Sequence, residues 1–307
     1  MSRAIAASLF RIYQAHPRKN AALKKRSERM YACSDYLAFG EHVSQETGEV
    51  TKRLDAAWFC RDRLCPMCQW RKSLVTFHQL SAIMNRIDEI EPDAVPIFLT
   101  LTMRNVKADG LGDAVTQILR AWGRMVNKGT NPRMYNLVVG WFRALEITYN
   151  AVTQEWHPHI HAIILMPQAY FKNPDLYLDH DAWMKLWRKA LRVDYAPSVD
   201  VRTIKNDRLD AVAEVSKYAV KPGDWVSDAR CVTDANVELL ATVLKNRRLV
   251  GFGQLMMAVR KELKQVDADN ADLVHTDDCD TPIRGDLRIA LERYDWQAGV
   301  TNDYVFT

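Results

Sequence analysis

The stretch Trp156-His157-Pro158-His159-Ile160-His161-Ala162-Ile163-Ile164-Leu165-Met166 decides how this chain folds. Three histidines at alternate positions lead into an unbroken apolar run. Side chains alternate between the faces of a strand, so His157, His159 and His161 share one face and Ile160, Ala162 and Ile164 the other. Imidazoles two residues apart on one strand face can hold a single divalent cation. The pattern predicts a buried strand carrying a metal site. The chain around it must supply a third ligand and a reacting group.

Residues 137–149 read as the preceding strand, joined to the histidine strand by a short loop and so expected to form a hairpin with it. Phe142, Ala144, Glu146 and Thr148 fall on one face. A carboxylate inside an apolar strand is costly unless something neutralises it. The hairpin brings Glu146 beside His159 and His161, and it is the expected third ligand; the alternative is a surface pair with Arg143 or Arg104. Further out, residues 73–91 carry Leu74, Phe77, Leu80, Ile83, Met84 and Ile87 at helical spacing, ended by Pro92. A β-branched and aromatic strand over 95–103 and a helix over 113–127 follow. After the histidine strand come a tryptophan-rich helix over 179–192 and a strand over 199–204. The order β-α-β-β-α-β predicts an α+β fold with a ferredoxin-like, split βαβ antiparallel sheet, helices on one side and an open face for a site.

A helix over 207–221, capped by Asp207 and ended by Pro222-Gly223, completes this domain. At 100° per residue, Leu209, Val212, Ala219 and Val220 cluster on one side. Glu214, Lys217, Tyr218 and Lys221 cluster on the other. One helix face therefore offers a carboxylate, two ammonium groups and a phenol.

Cys33, Cys60, Cys65 and Cys68 fall within 36 residues, the last two as Cys-Pro-Met-Cys. A secreted disulfide framework is not expected in a chain of 307 residues. Four thiolates instead suit one structural Zn²⁺, which would staple a segment too short to build its own core; His42 is a possible substitute ligand. Arg61, Arg63, Arg71 and Lys72 surround the knuckle and are expected to rest on a nucleic-acid backbone. Residues 1–80 carry 14 Lys and Arg against 7 Asp and Glu, whereas residues 265–307 carry 3 against 10. The basic front suits a polyanion and the acidic rear does not. The expected organisation is a basic N-terminal arm (1–30), the cysteine segment (31–72), the catalytic domain (73–230), a helical extension (231–264) and an acidic, partly disordered tail (265–307). No apolar run is long enough to span a bilayer, so no membrane partner and a cytoplasmic location are expected.

Phe98-Leu99-Thr100-Leu101-Thr102, then His157-Pro158-His159-Ile160-His161, then Lys217-Tyr218-x-x-Lys221 resemble, in order and spacing, the motifs of the HUH endonucleases. Within that superfamily the chain resembles the replication initiators of rolling-circle plasmids, whose front end is similar to Cys60, Cys65-Pro66-x-Cys68 and Trp70-Arg71-Lys72-Ser73. The resemblance spans residues 33–225 and implies an HUH endonuclease fold. It implies that His159 and His161 bind the metal, with Glu146 as third ligand and His157 as a less certain one, and that Tyr218 is the nucleophile. The implied reaction is metal-dependent nicking and strand transfer of origin DNA through a 5′-phosphotyrosine, with Mg²⁺ or Mn²⁺ at the catalytic site. Lys217 and Lys221 would favour the phenolate, and Glu214 would activate a water for a terminating cleavage. The implied partners are the plasmid double-strand origin, presented as a hairpin or single-stranded nick site, and the host helicase and DNA polymerase. A relaxase or single-strand transposase of the same superfamily, and a non-catalytic zinc-bearing DNA-binding regulator, fit the same residues.

Overall fold

A computed structural model describes residues 1–45, 47–204, 208–217, 233–276, 287–297 and 303–307. The first elements are α1 (Ser2–Ala15), α2 (Ala21–Tyr31), β1 (Tyr36–Val43), β2 (Val50–Ala57) and α3 (Pro66–Ile90). They are followed by β3 (Ala94–Thr102), α4 (Leu111–Val126), α5 (Pro132–Leu137), β4 (Gly140–Asn150), β5 (Glu155–Pro167), α6 (Gln168–Lys172), α7 (His180–Leu191) and β6 (Val199–Thr203). The last are α8 (Arg208–Val215), α9 (Asp234–Val243), β7 (Val250–Gln254), α10 (Leu255–Glu262), β8 (Leu287–Trp296) and β9 (Tyr304–Phe306). The chain divides into two compact units, and not at the boundaries expected from the sequence. One comprises Met1–His78, Asp228–Ala241 and Val266–Thr307, the other Gln79–Ser227 and Thr242–Gln265. Among the described residues no helix is long and apolar enough to cross a membrane.

The second unit is built on a five-stranded sheet in the order β6-β3-β5-β4-β7, antiparallel throughout. Its first four strands in chain order pair as the ferredoxin-like reading requires, with β3 and β5 central. From Ile160 to Met166 every residue of β5 except His161 is buried. This is why that run carries no polar alternation. Helix α4 buries Leu111, Val115, Ile118, Trp122 and Met125, the i, i+3/i+4 stripe of an amphipathic helix. The Trp122 ring meets Trp141 at 5.3 Å, which places α4 on the sheet face opposite Phe142 and Glu146. Helix α7 packs beside α4, capped by the Asp179 side chain, and Trp187 donates its indole N–H to the Thr102 carbonyl at 2.7 Å.

Strand β7 corrects the expected helical extension. Residues 250–254 add to the free edge of β4, with Gly253 opposite Trp141 and Phe252 opposite Phe142. Gly251 and Gly253 lower helix propensity here. They also leave room for the neighbouring rings: a Cβ on Gly253 would fall 2.1 Å from Cε2 of Trp141. Phe252 packs its ring on Phe142 at 4.8 Å.

The first unit holds a sheet in the order β2-β1-β8-β9. The N-terminal arm is ordered as two helices. Ile5, Ala6, Leu9 and Ile12 of α1 are buried, and Ser27 of α2 donates to the Ala6 carbonyl at 2.7 Å. Basic residues dominate the composition of this stretch and mask that stripe. The acid-rich C-terminal tail is likewise not disordered where it is described: β8 pairs along β1 and β9 pairs with β8. Its apolar residues switch from odd to even positions between Leu291 and Tyr294, which hides the strand period. His42 is not a thiol-site ligand. It is buried against Asp55, Nε2 to Oδ1 at 2.7 Å, and Asp55 also receives Arg288 at 3.2 Å.

The basic residues beside the cysteines are also committed within the fold. Arg71 and Lys72 are 6% and 7% exposed. Arg71 donates to the carbonyls of Leu273 and Val274, and Lys72 to Asp269 at 2.7 Å. Arg63 pairs with Asp269 at 2.8 Å, and Arg61 donates to the Ala271 carbonyl at 2.9 Å. Buried groups already spent on protein acceptors do not reach a DNA backbone, so the expected phosphate contact of Arg71 and Lys72 is corrected. Burial works to raise the Asp269 carboxyl, but the Lys72 hydrogen bond and the charges of Lys72 and Arg63 outweigh it and hold the group below its ordinary value.

Two outcomes follow from this packing. Gly253→Ala should displace the Trp141 indole and lower stability in urea denaturation by about 1–3 kcal/mol; an unchanged midpoint would count against the close approach. Because the folded Asp269 carboxyl is depressed, its contribution is full above about pH 5 and is lost as pH falls below about 4. The stability difference between wild type and Asp269→Asn should therefore shrink on acidification through that window, measured by thermal melts at stepped pH.

Candidate active site

Strand register assembles the site. Glu146 lies directly opposite His159, Ala144 opposite His161, and on the other side of β5 Thr100 lies opposite His161 and Thr102 opposite His159. Directly opposed residues share a face, so Glu146, His159, His161, Thr100 and Phe98 all project from the face away from α4. The Nε2 atoms of His159 and His161 lie 3.2 and 3.0 Å from the same Glu146 oxygen, Oε2. Glu146 and His159 are buried, at 3% and 8% exposed.

The far nitrogens fix what the near ones can do. His159 donates Nδ1–H to the His157 carbonyl at 3.1 Å. A carbonyl only accepts, so Nδ1 carries a proton, and in the neutral ring Nε2 keeps its lone pair. His161 Nδ1 bonds the Thr100 hydroxyl at 3.2 Å, which allows the same tautomer. Two imidazole lone pairs and a carboxylate then converge, their donor atoms within 4.8 Å of one another. This donor set fits a cation. Arg143, the alternative partner for Glu146, is on the opposite face. It donates to the carbonyls of Leu249 and Arg248, and burial together with Arg248 lowers its pKa to about 10.

His157 lies outside the ligand group. Its Nδ1 is 2.6 Å from Asn105 Oδ1 and its ring stacks on His159 at 5.1 Å. Burial and the neighbouring His159 lower its pKa, against the raising influence of Glu146. Its role here is to buttress the ligand pair through its ring and its carbonyl. Thr100 and Asn105 were not singled out as supports by sequence reasoning. Thr100 stood in a quoted strand, and its parity with His161 was the available signal. Asn105 gave none.

Helix α8 reaches this face. Ala211, Val212, Val215 and Ser216 are buried, whereas Leu209, expected on the apolar side, is 65% exposed. The buried stripe is rotated by about one residue from the expected one. Glu214 lines a hollow with Phe98 and Arg202, and the Phe98 ring lies 5.7 Å from His161. Lys217 forms an ion pair with Glu214. Tyr218 and Lys221 lie outside the described residues.

The second ligand group is in the other unit. Cys33, Cys60, Cys65 and Cys68 are free and buried, with all four sulfurs within 4.8 Å of one another. The Cys33–Cys68, Cys60–Cys68 and Cys65–Cys33 separations are 3.6, 3.6 and 3.5 Å. A tetrahedron with metal–sulfur bonds of about 2.3 Å has edges of about 3.8 Å, so the set fits one tetrahedral ion. Backbone N–H groups of Cys60, Arg61 and Asp62 point at the sulfurs of Cys33, Cys68 and Cys60, as suits thiolates. Hydrogen bonds from Cys33, Cys60 and Cys68 lower the Cys65 thiol, while the Cys33 thiol raises those of Cys60 and Cys68.

The profile of the replication-protein family matches residues 51–304. The chain belongs to the replication-protein family. Among its relatives is the Rep protein of Streptococcus pneumoniae serotype 2 (strain D39 / NCTC 7466), 32% identical over 284 residues, covering 91% of this chain and 83% of that protein. Another, from Bacillus amyloliquefaciens, is 33% identical over 299 residues and covers 91% and 84%. A third, from a Bacillus species, is 35% identical over 271 residues and covers 81% and 84%. No solved structure matches the chain. The family match includes both ligand groups except Cys33, and all of β3 to β7.

If Thr100 orients His161, Thr100→Val should weaken Mn²⁺ binding about tenfold in calorimetric titration, with little change in fold. Unchanged affinity would remove Thr100 from the site.

Proposed function

We propose that this replication protein initiates rolling-circle replication of plasmid DNA by nicking one strand at the double-strand origin. The observation that carries the reading is the convergence of His159 and His161 on Glu146, on the sheet face that α8 approaches with the segment leading to Tyr218. The family match supports a role in replication, and the relatives named above favour this over a relaxase or transposase.

Tyr218 attacks the scissile phosphorus, the P–O3′ bond breaks, and a 5′-phosphotyrosine and a free 3′-OH result. The 3′-OH primes a DNA polymerase, and the phosphotyrosine conserves the bond for later strand transfer. A Mg²⁺ or Mn²⁺ ion held by Glu146, His159 and His161 would supply the neutralisation of phosphate charge that such an attack requires. Lys217 and Lys221 favour the phenolate over the phenol. Glu214, four residues before Tyr218 in the sequence, takes a proton from water in a second cleavage that closes the round. Four thiolates suit Zn²⁺ in a structural role. Origin DNA with an unpaired nick site, the host helicase and the polymerase are the corresponding partners.

Tyr218→Phe should abolish the covalent protein–DNA adduct on a denaturing gel, by at least about a thousandfold, while DNA binding stays within about twofold. A persistent adduct would assign the nucleophile elsewhere. Glu214→Ala should keep initial nicking within about threefold yet slow release of the finished product at least tenfold, on the order of a lost general base; equal loss of both steps would reject the division of roles.

A further inference from the structure

One hollow beside the histidine–carboxylate centre enters the scheme above only through Glu214. It encloses about 170 Å³ and is lined by Phe98, Arg202, Ile204, Asp210, Ala211 and Glu214. That is the share of about six liquid waters, the scale of one planar ring system and not of a folded peptide. Arg202 stands directly opposite Phe98 in the β6–β3 ladder, and its guanidinium lies 4.6 Å above the Phe98 ring. Phe98 in turn touches His161. The hollow therefore opens on the same face as the ligand group, one strand away, and α8 forms its other wall.

Its lining sorts the possible occupants. Phe98 and Ile204 form a buried apolar floor, and the Arg202 guanidinium covers the Phe98 ring. The Arg202 side chain is 60% exposed and its Nε lies 3.5 Å from Asp200; its planar fork also suits a phosphate. Asp210 and Glu214 are carboxylates and, when ionised, only accept hydrogen bonds. Neither belongs to a metal-ligand group among the described residues. Lys217 engages Glu214, and among the described residues no cation pairs with Asp210. Two carboxylates repel a free phosphate inside the hollow, but not a neutral ring whose edge carries N–H donors. Cytosine, adenine and guanine offer an exocyclic amino group. Thymine offers one imino N–H between two carbonyl oxygens, which a carboxylate repels.

We infer that this hollow seats one unpaired, amino-bearing base of the strand to be cut, with Asp210 on its edge and Arg202 on its phosphate. The inference rests on reading this face as a strand-nicking site and adds which part of the DNA is held there. Arg202 and Asp210 become recognition residues that act before any bond breaks, so binding alone tests them.

The full chain, freed of divalent ions at the histidine centre by dialysis, is titrated into fluorescein-labelled single-stranded dC15, dA15 and dT15 and followed by anisotropy. Wild type should bind dC15 and dA15 at least about fivefold tighter than dT15. Asp210→Asn, which replaces an acceptor by a mixed donor and acceptor, should bring that ratio close to one, and Asp210→Glu should keep most of it. Arg202→Ala should weaken all three oligonucleotides alike and reduce the salt slope by about one. Asp210 is an exposed helix residue, and superimposable thermal melts identify folded variants. Equal or tighter binding of dT15 by wild type overturns the inference, as does an unchanged ratio in Asp210→Asn. Adduct formation on Tyr218 with no base preference would sink this inference alone, whereas base preference with no adduct would sink the nicking reading alone.

Discussion

The site rests on one electrostatic constraint: a buried carboxylate oxygen faced by the Nε2 atoms of two imidazoles. Such a point accumulates lone pairs and calls for positive charge. It exists only in one strand register. Glu146 is opposite His159 because β4 and β5 form a hairpin, and Thr100 is opposite His161 because β3 pairs on the other side. A slip of one residue on either side would send the misplaced strand's contribution to the α4 face. The run 162–166 is apolar on both faces and seats β5 in the core, while Glu146, His159 and His161 set the register, because a slip would leave them buried without partners on the α4 face. Core packing and ligand geometry are thus one requirement expressed twice along β5.

A different economy governs the first unit. Its sheet is four strands wide and ends in a three-residue strand, and much of its cohesion is polar. Four thiols gather segments from residues 33 to 68. Around them Arg26 pairs with Asp62, Arg29 donates to the Cys60 carbonyl, and Arg63 and Lys72 converge on Asp269. Each contact ties the cysteine segment to a distant stretch of chain. The positive charge of residues 1–80 is therefore partly internal mortar, and a net-charge count overstates what remains for a polyanion.

Much of the active face was legible in the sequence, because alternation and hairpin adjacency are local properties. The β-α-β-β-α-β order, the pairing of Glu146 with the histidines and the four-cysteine set could all be read there. What was missed depended on partners far along the chain. Arg71 and Lys72 looked like DNA contacts because nothing near them reveals the carbonyls of residues 273 and 274 or the Asp269 carboxylate. Strand β7 resembled a helix continuation because its two glycines have meaning only against Trp141 and Arg143, over 100 residues earlier. The stripe of α8 was misphased by Leu209, an apolar residue left in solvent, which no periodicity count can discount. The terminal strands were hidden by an acidic composition and a change of parity.

The cross-section of the active face has a direction. From the β4 side it passes from carboxylate to imidazoles on β5, to a hydroxyl and an aromatic ring on β3, and ends at the guanidinium of Arg202 on the edge strand β6. Negative ligand charge lies well inside the sheet and fixed positive charge at its rim. A polyanionic strand crossing toward β6 would meet cations at two points, one brought by the ligand group and one built into the edge. That arrangement favours a nucleic acid whose phosphates are spaced by an exposed base over a small anion, since a lone phosphate can use only one of the two points. The helix that walls the hollow carries both Asp210 and Glu214 and ends at Val215, so a base held beside Asp210 would also lie beside Glu214. Base recognition and the water activation proposed for Glu214 would then share a single short helix.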